Sequence, residues 1–236
     1  MYSGQCESNG NAYYIFDNSE GNKRLIIGGE GSTADYLKDQ QKPWNGQLDY
    51  IENVEIIEGL ERIGDFLFSN HYNLKSVKIS KSIKEIGKNP FYNTKKLTTV
   101  TVDEESEYFL VDNQVIFDKN KTRLVSYLHS KEIYTYSIPE GVEVISPYAF
   151  SANTNVFNIN FPMSLKRIEE QAFLNSLYSS SSILQFYGID EPVCENGAFQ
   201  ISTSVRVPQN YKSEQFCTLG ISRQLPEVTI GEETNQ

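Results

Sequence analysis

The sequence predicts a β-rich solenoid, one elongated stack of coils about 23 residues long. Three observations predict it. Apolar residues recur at one fixed offset along most of the chain. Each recurring unit contains a short run in which apolar and polar residues alternate, the period of a half-buried strand. And the 236 residues are 39% hydrophobic and 12% aromatic, with 15 Tyr and 13 Phe, ample for a continuous core.

The offset is explicit. Leu60-Glu61-Arg62-Ile63-Gly64 returns as Ile83-Lys84-Glu85-Ile86-Gly87, and Phe68, Leu74, Val77 and Ile79 return as Phe91, Leu97, Val100 and Val102, each 23 residues on (91 − 68 = 23). Further along, Ile138-Pro139, Val142, Ile145 and Ala149-Phe150 return as Phe161-Pro162, Leu165, Ile168 and Ala172-Phe173 at the same offset. The segment from Ile51 to Ile56 lies one unit before Leu74. A unit reads L-x-x-V-x-I, a turn, then V-x-x-I-G-x-x-A-F. No single unit can bury its strand face, so neighbours must stack. Strands are expected near residues 54–56, 77–79, 100–102, 136–138, 159–161, 184–186 and 205–207, in one sheet with Val77, Val100 and Tyr136 as stacked neighbours. Phe68, Phe91, Phe150, Phe173 and Phe199 are expected to form one buried ladder.

From Leu97 to Ile133 is 36 residues, 13 more than one unit. Turn signals at Asp112-Asn113 and Asp118-Lys119-Asn120 divide the surplus into three apolar stretches. That pattern reads as a small antiparallel meander, at about 103–131, extending one coil. Asn113 tolerates the positive φ that such a turn needs. Before the repeats, Tyr13–Asp17 and Arg24–Gly31 read as a hairpin turning through Asn18–Gly21. Residues 1–50 are assigned to an N-terminal β cap, 51–207 to the solenoid and 208–236 to a closing cap and a frayed tail.

The units resemble the BspA-like leucine-rich repeat family. Ile138-Pro139-Glu140-Gly141-Val142 through Ala149-Phe150 is the closest copy, with a Pro-containing turn after the strand and an I-x-x-x-A-F closure. Gly59, Ser82, Gly141 and Ser164 stand where an asparagine ladder would place Asn or Cys, so that variety is excluded. The resemblance covers roughly residues 12 to 225. It implies a right-handed leucine-rich-repeat superhelix of β-α or β-β coils. It also implies a short closing helix over Asn210–Phe216, beyond a last strand at 205–207, and adhesion at a cell surface.

Charge and motifs narrow the chemistry. With 31 acidic and 21 basic residues the formal net charge is −10, which repels phosphate backbones, and no basic run relieves it. No 18-residue apolar stretch could span a membrane. The start, Met1 to Cys6, has neither a charged nor an apolar leader region, and we expect a signal or anchor to have been removed. Three widely spread cysteines exclude a disulfide-dense scaffold. Cys194 and Cys217 lie one coil apart and a bond between them is open, but reduced small core hydrophobes is the reading preferred.

His71 and His129 sit on different coils and read as surface residues without metal-ligand spacing. Gly28–Gly31 lacks the Gly-Lys-Ser/Thr ending of a phosphate loop. The acidic runs Asp103–Glu105 and Glu169-Glu170 read as solvated turns, without Ca²⁺-loop spacing or a facing glycosidase pair. Asn120-Lys121-Thr122 is a glycosylation sequon. No catalytic, metal or cofactor residue is assigned, and no cofactor is expected.

The candidate binding face is the outward row of the strands: Asn53 and Glu55, Ser76 and Lys78, Thr99 and Thr101, Thr135 and Ser137, Asn158 and Asn160, then Gln185 and Arg206. The expectation is a non-enzymatic, monomeric recognition module at the cell surface or outside it, binding a host or microbial protein or glycan. An intracellular interaction scaffold is the alternative.

Overall fold

The computed structural model describes residues 2–6, 11–21, 23–128, 133–177, 182–201 and 203–229. His129 and the tail beyond residue 229 lie outside the described residues. In chain order the first strands are β1 (Tyr2–Gln5), β2 (Tyr13–Asp17), β3 (Arg24–Gly28), β4 (Gly31–Ser32), β5 (Asn53–Ile56) and β6 (Leu60–Ile63). Then come β7 (Ser76–Ile79), β8 (Glu85–Ile86), β9 (Thr99–Val102), β10 (Phe109–Asp112), β11 (Val115–Asp118) and β12 (Arg123–Tyr127). The rest are β13 (Thr135–Ser137), β14 (Val144–Ile145), β15 (Asn158–Phe161), β16 (Arg167–Ile168), β17 (Leu184–Phe186), β18 (Val193–Cys194), β19 (Ser204–Pro208) and β20 (Gly220–Leu225).

Each coil contributes one strand to a front sheet and one to a back sheet. In the front strands Val54, Ile56, Val77 and Ile79 point into the core while their neighbours point out, as the period-two pattern requires. Val54 pairs with Val77 and Val77 with Val100 in parallel register, each at the 23-residue offset. On a third side of the coil, the N–H groups of Phe66, Phe68 and Asn70 donate to the carbonyls of Lys88, Pro90 and Tyr92 at 2.8–2.9 Å. The turn after each front strand repeats as well. Gly59, at φ 112°, leaves no room for a Cβ, which would lie 2.3 Å from Gly29 O. Its N–H donates to Ser82 Oγ one coil on, and Gly141 does the same to Ser164.

The stack is interrupted, and one expectation fails there. The front sheet of the N-terminal half runs β1-β2-β3-β5-β7-β9 and that of the C-terminal half β13-β15-β17-β19-β20. Strands β9 and β13 do not pair, so Val100 and Tyr136 are not neighbours in one sheet. The reason is the surplus chain. The meander forms as expected, turning through Asn113 and Gln114 at φ 49° and 61°, but it does not extend one coil. Instead β12 pairs with β14 and the meander joins the back sheet β10-β11-β12-β14-β16-β18, apart from the back sheet β4-β6-β8.

The meander is a wall between two cores. On β11, Val115 and Phe117 pack into the C-terminal core and Ile116 into the N-terminal one. On β12, Leu124 and Tyr127 face the C-terminal core and Val125 the other. Strands buried on both faces read as unbroken apolar runs, as these do. The aromatic ladder is divided likewise. Phe68 stacks on Phe91, while a second stack runs Tyr127, Phe150, Phe173, Phe199 with ring centroids 4.7–5.0 Å apart.

Asn89 stitches the seam. Its equivalents Phe66, Tyr148 and Gln171 all have left-handed φ of 50–58°, but Asn89 precedes Pro90 and is absent from that set. Its buried amide donates to Tyr148 O at 2.8 Å and to Ser151 Oγ at 3.2 Å, and accepts from Ser126 Oγ. Beside it Lys88 pairs with Glu170 at 2.8 Å.

Three further expectations are corrected. His71 is fully buried rather than on the surface. Trp44 Nε1–H donates to its Nε2 at 2.7 Å, so its proton sits on Nδ1 and donates to Ser69 O at 3.1 Å. Burial holds its pKa down at about 4. Cys194 and Cys217 are joined in a disulfide with a Cα–Cα separation of 5.5 Å, ordinary for such a bond. Residues 210–216 form no helix, and the chain continues into β20, which pairs in parallel with β19.

Phe91 and Phe150 are each 1% exposed. Truncation of either to Ala is expected to cost roughly 3–5 kcal/mol in urea denaturation, and a loss under about 1 kcal/mol for both would refute the stacks. The folded pKa of His71 lies below its ordinary 6.5, so the unfolded chain binds the proton more tightly between these values. Its contribution is complete above pH 6.5 and is lost as pH falls towards 4, about 3 kcal/mol in all. Denaturation curves across that range should show the decline and His71→Gln should flatten it. Replacing Cys194 and Cys217 with Ser should cost about 3 kcal/mol from loop closure, measured the same way. Alkylation without reductant should label neither cysteine, and labelling of both would refute the bond.

Candidate binding face

Strand alternation places all twelve candidate residues outward, but the break distributes them over two surfaces. Asn53, Glu55, Ser76, Lys78, Thr99 and Thr101 lie together on β5, β7 and β9. Thr135, Ser137, Asn158, Asn160, Gln185 and Arg206 lie together on β13, β15, β17 and β19. The structure does not bring the two sets into one row.

The surfaces differ chemically. On the N-terminal one, Glu55 receives Arg24 at 3.1 Å on one side and Lys78 at 3.6 Å on the other. Along the strand entries Glu52 accepts from Lys23 at 2.6 Å and Lys75 at 2.5 Å, and those two bonds hold its carboxyl well below the usual range. Ser76 donates to Asn53 at 2.6 Å. Only Thr99 and Thr101, both exposed, end this charged row.

On the C-terminal surface the row is uncharged over β13, β15 and β17 and ends in the cation Arg206 on β19. Asn158 Nδ2 donates to Thr135 Oγ1 at 3.0 Å, and Asn160 Nδ2 to Ser137 Oγ at 2.8 Å. Gln185 Nε2 donates to Asn160 Oδ1 at 2.9 Å and to the Tyr187 hydroxyl at 3.3 Å. Sequence reasoning missed Tyr187, although it lies two residues beyond Gln185 and the alternation therefore points it outward. It also missed Tyr134, which is 73% exposed and stacks on Phe157 with ring centroids 5.7 Å apart.

Two other places could hold chemistry. Where the back sheets fail to join, a cleft of about 470 Å³ opens between β8 and β12 over Ile86, Phe109 and Val125. Its cations are already paired: Arg62 with Asp35, Asp65 and Glu85, Lys84 with Glu61, Lys88 with Glu170, and Arg123 with Glu169. Lys42 donates to Ser69 Oγ and to Gln40 O, both at 2.7 Å, and burial pushes its pKa down to about 8. Both residues are under 5% exposed, and Ser69 is committed to Lys38 O, so the pair clasps residues 38–42 to the coil without reaching solvent. Among the described residues no cluster of three or more His, Cys, Asp or Glu is arranged to hold a metal. No helix among them is long and apolar enough to cross a membrane.

The profile of the BspA type leucine rich repeat region matches residues 46–122 and 120–217, in six copies. No curated protein matches the chain. Among solved structures it is similar to a leucine-rich repeat protein from Eubacterium ventriosum, with 18% identity and a TM-score of 0.38 over 93% of this chain and 74% of that one. It is similar to the pneumococcal vaccine antigen PcpA, with 17% identity and a TM-score of 0.48 over 91% and 84%. A leucine rich cell surface protein from Faecalibacterium prausnitzii gives 13% identity and a TM-score of 0.37 over 92% and 94%. The repeat, its parallel coils and this profile match, which spans well over half the chain, agree: the chain belongs to the BspA-type leucine-rich repeat family.

Proposed function

We propose that the protein is a non-enzymatic recognition module, exported or displayed at a cell surface, which binds a macromolecule through the outward faces of its two front sheets. The observation that carries this reading is the outward row itself: polar, hydrogen-bonding side chains on parallel strands whose inward neighbours make the core. Such residues contribute little to folding and are available for contact. Membership of a repeat family typical of binding modules supports it. The Cys194–Cys217 bond supports an oxidising compartment over an intracellular scaffold.

Two pairs of substitutions test the faces separately: Thr99→Lys with Thr101→Lys, and Ser137→Lys with Asn158→Lys. Glu61→Lys with Glu143→Lys alters the back of the coils as a control. Labelled protein would be titrated onto matrix-protein-coated surfaces and onto intact bacterial and host cells, with circular dichroism verifying the fold. At least one front pair should weaken binding about tenfold, near 1.4 kcal/mol, while the control stays close to the parent. Equal loss from the control, or loss from the control alone, would place the site on the back and refute the reading.

A further inference from the structure

We infer that the C-terminal front surface, on the reading that the front faces bind, takes neutral oligosaccharides. The first ground is charge. The chain carries 31 acidic and 21 basic residues, yet the outward residues of β13, β15 and β17 are Thr135, Ser137, Asn158, Asn160 and Gln185, without a formal charge among them, and Arg206 on β19 bounds this uncharged stretch at one side. Where this chain keeps a sheet face soluble it uses ions, as Arg24, Glu55 and Lys78 do on the other surface. Solubility alone leaves the uncharged row unexplained.

The second ground is the donor set. A carboxamide is planar and offers two N–H groups and two carbonyl lone pairs, which suits the paired vicinal hydroxyls of a sugar ring. Asn158 is held by Thr135 and the Ile183 N–H, Asn160 by Ser137 and Gln185, and Gln185 spends its N–H groups on Asn160 and the Tyr187 hydroxyl. Their orientation is therefore fixed before any ligand arrives, with carbonyl lone pairs and one N–H each of Asn158 and Asn160 left for it. Adjacent strands in a sheet are about 4.8 Å apart, so the ladder repeats along the stack as the residues of a chain-like ligand repeat. The third ground is aromatic. Tyr187 is 37% exposed, on the outward side of its strand, and tied to Gln185. Flat ring faces beside amides accept the C–H face of a pyranose while the amides take its edge. A protein partner would want an apolar centre to desolvate, and this row has none.

The test uses the intact chain against multivalent immobilised hexasaccharides: β-linked glucose, β-linked N-acetylglucosamine and α-linked mannose, with heparin and polysialic acid as acidic comparators. At least one neutral probe should bind. Asn160→Ala with Gln185→Ala should weaken it about tenfold or more, and so should the isosteric pair Asn160→Asp with Gln185→Glu, which preserves shape if the alanine pair unfolds. Tyr187→Ala should weaken it several-fold, while Ser76→Ala with Thr99→Ala on the other surface leaves it unchanged. Cell or matrix binding through a front face with no neutral probe bound overturns the saccharide inference and leaves the face reading intact. Saccharide binding indifferent to the C-terminal variants overturns the location, and preference for the acidic probes overturns the charge argument.

Discussion

The parallel hydrogen-bond ladder is the constraint on which the rest of this structure depends. Strand pairing at a 23-residue offset fixes which residues face the core on every coil, because a one-residue slip would turn each side chain to the other face. Small surpluses leave the pairing intact. Ile159 pairs with Leu184 at an offset of 25 and Ile168 with Cys194 at 26 without leaving their sheets. The thirteen extra residues after Leu97 are too many to absorb. The stack ends at β9, and an open end would expose both a core and a strand edge. The meander answers both needs. Its apolar side chains alternate between two cores, and Gln114 Oε1 accepts the Val100 N–H that no further strand receives.

Much of this was legible in the residues, because a repeat states its own register. The strand positions, the inward Val and Ile, the hairpin Tyr13–Gly28 and the three meander strands all follow from offset and alternation. The role of the meander does not, since apolar stretches around turn signals look alike whether one face is buried or both. A cue was nonetheless present: Val115-Ile116-Phe117 and Leu124-Val125 lack the polar alternation of a half-buried strand. Tyr127 was overlooked because it is a Tyr among Phe, although it stands 23 residues before Phe150 and stacks on it.

His71 shows how residue type misleads where position does not. Its equivalents one and more coils on are Thr94, Asn153 and Ser176, all polar and all buried. Each satisfies the turn that follows the aromatic ladder: Thr94 and Ser176 donate to the carbonyls of Phe91 and Phe173, and Asn153 accepts the N–H groups of Asn155 and Val156. A coil that turns inward leaves backbone groups without partners, so a polar side chain is required there, and His71 is the member of the series enlarged enough to reach Trp44. The disulfide follows from the same register. Cys194 enters through β18 and Cys217 lies beyond β19, one 23-residue unit on, and the fold sets their Cα atoms 5.5 Å apart, which spacing alone left open.

The division of the core extends to the surface. In an unbroken ladder each outward side chain touches its equivalent one coil away, so chemistry propagates: Glu55 calls for Lys78, and Asn160 reaches both Ser137 and Gln185. The charged row on β5 and β7 and the uncharged row on β13, β15 and β17 lie on separate sheets, the second running on to Arg206, the register partner of Gln185. The charged row closes through Ser76 and Thr99, the wall intervenes, and the uncharged row begins at Thr135. The insertion that breaks the register therefore uncouples the outward faces as well as the cores, and one repeat architecture carries two surfaces of different polarity.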